Sequence, residues 1–281
     1  MYTVLGSSGF IGSQVLARLH HKNCNVYAPS REETIKLKNK RLGNIIYCIG
    51  VTSDFREKPR ETFAAHITLL SRILARNFCT SVTYLSSTRV YKMREDTREE
   101  TPLLVAPLDR DDVYAISKLA GESFLLTSGI PAKIIRLSNV YSPIAPDFAS
   151  GNFLDSVMYS AALYGKVTFQ TTSASAKDFI HLADAVDLLF SIAESSKTGI
   201  FNLASGRNTS NATLGRALSA CGVFVEFTAT VKEWRFPRIR IEKLAEAFGR
   251  PKHNLIADVP VLLEKYRQYI RDVDKKRVYH G

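Results

Sequence analysis

The sequence predicts an α/β protein with a doubly wound parallel sheet and a smaller C-terminal lobe. Three observations lead there. Short apolar segments alternate with stretches whose apolar residues recur at helical spacing. A glycine-rich turn, Gly6-Ser7-Ser8-Gly9-Phe10-Ile11-Gly12, separates the first apolar segment from the first helical stretch. After Pro143 the alternation loosens, which marks a change of architecture.

Taken in order, Tyr2-Thr3-Val4-Leu5 is short and apolar, as a buried parallel strand requires. Ile11, Val15, Leu16 and Leu19 then give a helix its apolar stripe, and Asn25-Val26-Tyr27-Ala28 forms the next strand. Glycine in the intervening turn lets helix-start amides approach a pyrophosphate where a Cβ would intrude. Strand, glycine turn, helix and strand in succession therefore predict a dinucleotide site. Residues 44–50 form another strand, and Pro59 opens a helix with Phe63, Ile67, Leu70 and Leu74 on one face. Ser81-Val82-Thr83-Tyr84-Leu85 is a further strand, followed by a polar loop with Pro102 and Pro107. A helix begins near Asp112, and Lys133-Ile134-Ile135-Arg136-Leu137 is the next strand. This alternation is Rossmann-like, with ligands expected at the carboxyl ends of the strands.

Composition removes several classes. The 281 residues are 45% hydrophobic and 23% charged, which argues against disorder. No apolar run approaches the roughly 20 residues of a membrane span. Met1 leads directly into the first strand, so no signal peptide is expected. Cys24, Cys48, Cys79 and Cys221 are scattered without a CxxC pair, which reads as free thiols in a reducing cytoplasmic setting. The net charge of +11 favours anionic ligands. No aromatic-basic module accompanies it, so nucleic acid is not expected as a partner. The His20-His21 pair cannot share a helix face, and no Cys/His spacing fits zinc, so no metal is expected.

Tyr114 and Lys118 lie one helical turn apart and share a face. A tyrosine of ordinary pKa about 10 becomes a useful proton carrier near neutrality only if its phenolate gains roughly 4 kcal/mol. A neighbouring ammonium and a cationic cofactor ring can supply that together. Ser87, at a strand end, offers a hydroxyl for a substrate oxygen beside Tyr114. The pair alone is usually surface packing; its conjunction with the glycine turn and the strand-end serine is far more specific.

These motifs resemble the extended short-chain dehydrogenases/reductases of the NAD(P)-dependent epimerase/dehydratase type, which act mostly on nucleotide sugars. The resemblance runs through Gly6-Ser-Ser-Gly9-Phe-Ile-Gly12, Leu85-Ser-Ser87-Thr-Arg-Val-Tyr91, Tyr114-Ala-Ile-Ser-Lys118, Arg136-Leu-Ser-Asn139-Val-Tyr141, Lys177-Asp-Phe-Ile-His181 and Phe201-Asn-Leu-Ala-Ser-Gly206. It implies a catalytic Ser87, Tyr114 as proton donor or acceptor, and Lys118 holding the nicotinamide ribose. Cofactor contacts are implied for Gly6, Gly9, Phe10, Ile11, Gly12, Ser30, Arg31, Ile49, Gly50, Ser86, Tyr114, Lys118 and Leu137. Substrate contacts are implied for Asn139, Asn152, Phe153, Lys177 and Arg235. By the same analogy, residues 1–142 form the dinucleotide-binding domain with a return segment at 177–204. Residues 143–281, mainly 143–176 and 205–281, form the substrate lobe, and Asp184 caps the helix after the return strand.

Departures from the family pattern narrow the reading. Ser30-Arg31 replaces the acidic residue that similar NAD-users carry for the adenosine ribose. Serine plus arginine can accept a 2′-phosphate through charge-assisted hydrogen bonds, so NADP(H) is expected in preference to NAD(H). Only twelve residues separate Arg31 from Asn44, so the usual third strand and its helix are shortened or absent. His66 replaces an asparagine, and serves either the cofactor or the core. Lys177 replaces an arginine and lacks its bidentate fork. Thr88-Arg89 stands where a dehydratase is expected to carry acid-base carboxylates. Together these features point to NADPH-dependent reduction of a keto group on a nucleotide-linked sugar, such as a 4-keto-6-deoxyhexose. The alternatives are an NAD(P)-dependent nucleotide-sugar epimerase and, outside enzymes, a dinucleotide-sensing binding protein. A homodimer through helices at 59–77 and 112–127 would follow the family habit.

Overall fold

The computed structural model describes residues 1–52, 54–92, 94–142, 153–228, 233 and 236–279. Its main sheet has six parallel strands in the order β2-β1-β3-β4-β5-β9. These are β1 (Tyr2–Leu5), β2 (Val26–Tyr27), β3 (Arg41–Tyr47), β4 (Phe78–Ser87), β5 (Ala132–Leu137) and β9 (Gly199–Leu203). From β2 the chain passes through the short α2 (Arg31–Lys36) directly to β3 on the far side of β1. Among the described residues β2 is therefore an edge, and the shortened connection expected after Arg31 is what the fold contains.

Helices cover both faces, as apolar parallel strands require. On one face α1 (Phe10–His21) and α7 (Leu182–Glu194) pack together over a core that includes Val4, Val15, Leu19, Ile135, Leu189 and Phe201. On the other face α5 (Val113–Thr127) and the helix from Pro59 cover Leu5, Ile45, Tyr47, Leu70, Tyr84 and Ile134. The third strand begins earlier and ends earlier than the apolar run 44–50 suggests. A register irregularity at Gly43 lets Arg41 and Gly43 pair with Phe78 and Cys79, while residues 48–50 leave the sheet as irregular chain.

The helix from Pro59 contains a single π turn. α3 (Pro59–Phe63) leads into π geometry over Ala64–Thr68, and α4 (Leu69–Arg76) continues it. Two carbonyls of this turn take hydroxyl donors from the sheet: Tyr47 donates to the Ala65 carbonyl at 2.5 Å and Tyr84 to the His66 carbonyl at 3.1 Å. Helix α5 packs directly on this turn at Gly121, where a Cβ would lie 2.5 Å from the Tyr84 hydroxyl oxygen. A π turn of this kind is frequent at functional sites.

A second core collects α6 (Phe153–Tyr164), β7 (Lys166–Phe169), β8 (Ala176–His181), α8 (Asn211–Ala220), β11 (Phe224–Phe227) and α10 (Leu255–Tyr279). Strand β8 joins β6 (Asn139–Tyr141) on one side and β10 (Asn208–Ser210) on the other. Because β6 follows β5 after one residue, this small sheet hangs from the carboxyl edge of the large one and closes a cleft there. The cap of α7 is His181, whose ring nitrogen accepts from the Ala183 amide, rather than Asp184. Asp184 instead tethers a distant loop: it accepts the amides of Lys252 and His253 at 2.8 Å each and pairs with the His253 ring. All four cysteines are free.

Candidate active site

The cleft encloses about 710 Å³, within the range of small-molecule sites. Its floor is the carboxyl ends of β3, β4 and β5 with the start of α1; its roof comes from β6, β8, α6 and residues 236–239. Of the residues anticipated from sequence it brings together Gly9, Phe10, Ile11, Gly12, Ile49, Gly50, Ser86, Ser87, Tyr114, Lys118, Leu137, Asn139, Phe153 and Lys177. Gly6 lies beneath this wall, and Ser30 and Arg31 stand at the far end of β2, outside the cleft lining. Asn152 and Arg235 lie outside the described residues.

The turn before α1 is set by two glycines. Gly6 has φ +84°, a left-handed conformation, and a Cβ there would meet the Cys48–Ile49 backbone at 3.0 Å. A Cβ on Gly12 would come within 2.1 Å of the Gly6 carbonyl oxygen, so helix and turn can meet only through glycine. Helix α1 starts with no side-chain cap and no acidic residue in its first turn. Its free amides and positive dipole end are therefore open to an anion. Uncapped amides, a glycine cradle and a long cleft fit a dinucleotide pyrophosphate, held by residues 9–12.

Ser87 ends β4 and accepts the Arg89 amide at 3.2 Å, so its own proton is free to be donated elsewhere. Its hydroxyl pulls the Tyr114 pKa down, in the sense that favours the phenolate. Burial pushes the Tyr114 pKa up; the Ser87 hydroxyl and then the Arg89 guanidinium pull against it. Lys118, only 4% exposed, donates to the Leu85 carbonyl at 2.8 Å and lies 5.7 Å from the centre of the Tyr114 ring. Burial draws its ammonium down to about 7, opposed by the Glu122 carboxylate one turn on. The phenol therefore takes its acidifying help here from Ser87 and Arg89, with Lys118 stationed below its ring.

His66 is fully buried, and its place in the π turn brings the ring edge-on to Tyr114 with centroids 5.3 Å apart. Its Nε2 accepts the Val51 amide at 3.2 Å, which puts the ring proton on Nδ1 facing the Ser117 hydroxyl at 2.8 Å. Ser117 donates in turn to the Tyr114 carbonyl at 2.8 Å. Both ring nitrogens are thus matched by partners within the protein.

Ser86 is turned to the core, its hydroxyl donating to Glu122. Glu122 also pairs with Arg136 at 2.7 Å, both side chains at most 4% exposed. Arg136 donates to the Tyr91 hydroxyl at 2.7 Å, and Tyr91 to Asn202 at 2.9 Å, so three motif segments share one buried network with Glu122. Asn139 donates to the Asp178 carbonyl at 2.8 Å, and the Lys177 ammonium lies 4.7 Å from the Phe153 ring centre.

Sequence reasoning missed two features. Ser30 caps α2 in a reciprocal box with Glu33: its oxygen accepts the Glu33 amide at 3.2 Å while its amide donates to the Glu33 carboxylate at 2.7 Å. A carboxylate thus stands at the end of β2 after all, three residues later than expected; the Ser-x-x-Glu spacing was the signal. The second is Phe55, almost fully buried, whose ring lies 5.4 Å from Tyr114 and takes the guanidinium groups of Arg56 and Arg89 at 4.6 and 4.8 Å. No group of three His, Cys, Asp or Glu that could hold a metal occurs among the described residues. None of the described helices is long and apolar enough to cross a membrane.

Residues 2–204 match the model of the NAD dependent epimerase/dehydratase family. No curated protein matches the chain by sequence. Among solved structures the chain is similar to MoeE5 in complex with UDP-glucose and NAD, at 19% identity and TM-score 0.76, over 96% of this chain and 99% of that one. It is similar to the UDP-glucose 4-epimerase of Thermotoga maritima with UDP-glucose, at 17% identity and TM-score 0.77, covering 96% and 99%. It is also similar to RMD from Pseudomonas aeruginosa complexed with NADPH, at 20% identity and TM-score 0.72, covering 95% and 100%.

Proposed function

Because the chain belongs to the NAD dependent epimerase/dehydratase family, we propose that it reduces a keto group on a nucleotide-linked sugar, with NADPH as reductant and Tyr114 as proton donor. The 4-keto-6-deoxyhexoses are the first substrates to screen. The observation that carries this reading is the Ser87–Tyr114 pair, in the same cleft as the uncapped start of α1 and with no free carboxylate beside it among the described residues. The described carboxylates lining the cleft are both engaged. Tyr266 donates to Asp155 at 2.7 Å, and Asp178 accepts Ser205 and Arg207 donors at 2.8 to 3.0 Å. Elimination of water needs an acid and a base at the sugar, so this wall favours hydride chemistry without dehydration.

Bound reduced nicotinamide supplies the hydride. Ser87 and Tyr114 bind the carbonyl oxygen together and hold the carbonyl carbon toward the floor of the cleft. The Tyr114 proton passes to that oxygen, and the resulting phenolate is stabilised by the Ser87 hydroxyl and the Arg89 charge. Lys118, whose pKa burial draws down to about 7, lies beneath the ring. Lys177 is the charge proposed to meet the diphosphate, with Asn139 and Phe153 lining the way to it.

The preference for NADPH rests on Arg31, exposed at the start of α2. Glu33 favours the second reading, an epimerase working with NAD, because its carboxylate at the Ser30 amide can accept ribose hydroxyls and repels a 2′-phosphate. Deuterated NADPH separates the two. Stoichiometric transfer of deuterium into product supports reduction; epimer formation without label uptake or net NADPH consumption rejects it.

A further inference from the structure

Arg89 lends its charge to the Tyr114 phenolate, yet among the described residues it carries no anionic partner of its own. It follows Ser87 by two residues, on the turn Thr88–Tyr91, and lines the cleft. Its guanidinium lies over the Phe55 ring, which in turn touches Tyr114, so it stands one ring away from the proton donor. Its Nε is fully buried and has no hydrogen-bond partner. The two nearby carboxylates are taken by other cations: Asp111 pairs with Arg56, and Asp112 pairs with Lys92 at 2.9 Å. Among the described residues Arg89 makes no ion pair at all.

Arg89 is half-buried, with an unpartnered Nε and no anion paired with it among the described residues, and an anionic ligand in the cleft would compensate that charge. A neutral sugar hydroxyl would leave the charge uncompensated. A planar carboxylate would accept two parallel N–H donors from the fork. The diphosphate is the other anion of a nucleotide sugar, and Lys177 on β8, beside Phe153 and near enough to Arg89 for their charges to repel, offers it a cation of its own.

We infer that Arg89 recognises a carboxylate carried by the sugar ring itself, so that the substrate class is a nucleotide-linked acidic sugar rather than a neutral 6-deoxy one. This rests on the nucleotide-sugar reading above and puts acidic sugars ahead of the neutral 4-keto-6-deoxyhexoses as its substrates. Arg89 is then a specificity-determining residue that touches substrate next to the reacting carbon. Its second effect, positive charge near the Tyr114 phenol, adds to proton transfer on any substrate.

The test measures binding by calorimetry, in the presence of NADP, of two matched pairs: UDP-glucuronate with UDP-glucose, and GDP-mannuronate with GDP-mannose. The same titrations are run with UDP and GDP alone, on the wild type, Arg89→Gln and Arg89→Lys. The expected result is that the acidic member of one pair binds the wild type about tenfold or more tighter than its neutral partner. Arg89→Gln abolishes that preference while binding the neutral sugar and the bare nucleotide within about twofold of wild type. Arg89→Lys, which keeps the charge and guards against a folding artefact, retains part of the preference. Equal weakening of bare UDP or GDP by Arg89→Gln would assign Arg89 to the diphosphate and overturn the inference. A wild type with no acid preference would overturn it equally. If no nucleotide or nucleotide sugar binds, the nucleotide-sugar reading itself falls.

Discussion

His66 and Ser117 stand 2.8 Å apart and join the π turn of one helix to the carbonyl of Tyr114 on another. With Val51 donating to the opposite ring nitrogen, the imidazole is held neutral between the loop after β3 and the first turn of α5. Burial first, and the Lys118 charge second, lower its pKa to about 2.

This has a pH consequence with a definite sign. The unfolded chain protonates this histidine below about 6.5, whereas the folded chain refuses the proton down to about 2. The stability it contributes is complete above pH 6.5 and is lost progressively as pH falls through that window, at about 1.4 kcal/mol per unit. Urea midpoints of wild type and His66→Asn at pH 7 and 4.5 check it. The wild type should lose more stability than the variant on acidification, and identical losses would contradict the assignment.

Lys118 acts with the same sign in a higher pH window. Its folded pKa of about 7 lies below the ordinary 10.5, so between these values the unfolded chain holds a proton that the folded chain has released. Stability from this site therefore rises with pH across that window. Against Lys118→Met, the wild type should gain relative stability between pH 7 and 9.5 in cofactor-free protein. A flat difference between the two would show that the ammonium stays charged in the fold.

The Glu122–Arg136 pair is buried on both sides and also takes the Ser86 hydroxyl. Glu122→Gln strands a buried guanidinium, and such a loss costs roughly 3–5 kcal/mol. A thermal melt should show a drop of many degrees. The variant also removes the charge that props up the Lys118 pKa, so its pH window should widen toward lower pH.

Tyr114→Phe removes the proposed proton donor and keeps the ring against Phe55 and His66. Turnover should fall by about 10²–10⁴-fold, with NADPH affinity nearly unchanged in a fluorescence titration. Full activity in this variant would end the mechanism.

The parts of this site that were legible in the sequence are those written over a few residues. Gly6 to Gly12 form a local turn, and Tyr114 and Lys118 sit one helical turn apart, so spacing alone predicts their shared place. Arg31 to Asn44 is too short for another strand and helix, and the sheet indeed edges at β2. What escaped depends on tertiary contact. The π turn at Ala64–Thr68 exists where Tyr47 and Tyr84 reach its carbonyls from the sheet, and no helical pattern announces it. Phe55 meets Tyr114 across 59 residues of chain. Asp184 looked like a helix cap because it sits at the start of α7, yet its partners are Lys252 and His253. Glu33 is the exception: its capping box with Ser30 was readable, and it bears directly on cofactor choice.

That choice is the most direct test of the central claim. Purified protein is first examined for bound nucleotide, then titrated with NADPH and NADH while nucleotide fluorescence is followed. The account predicts reversible binding, with NADPH about tenfold or more tighter than NADH and the difference lost in Arg31→Ala. Co-purified NAD that does not exchange would contradict it, assigning the β2 end to Glu33 and the reaction to epimerisation.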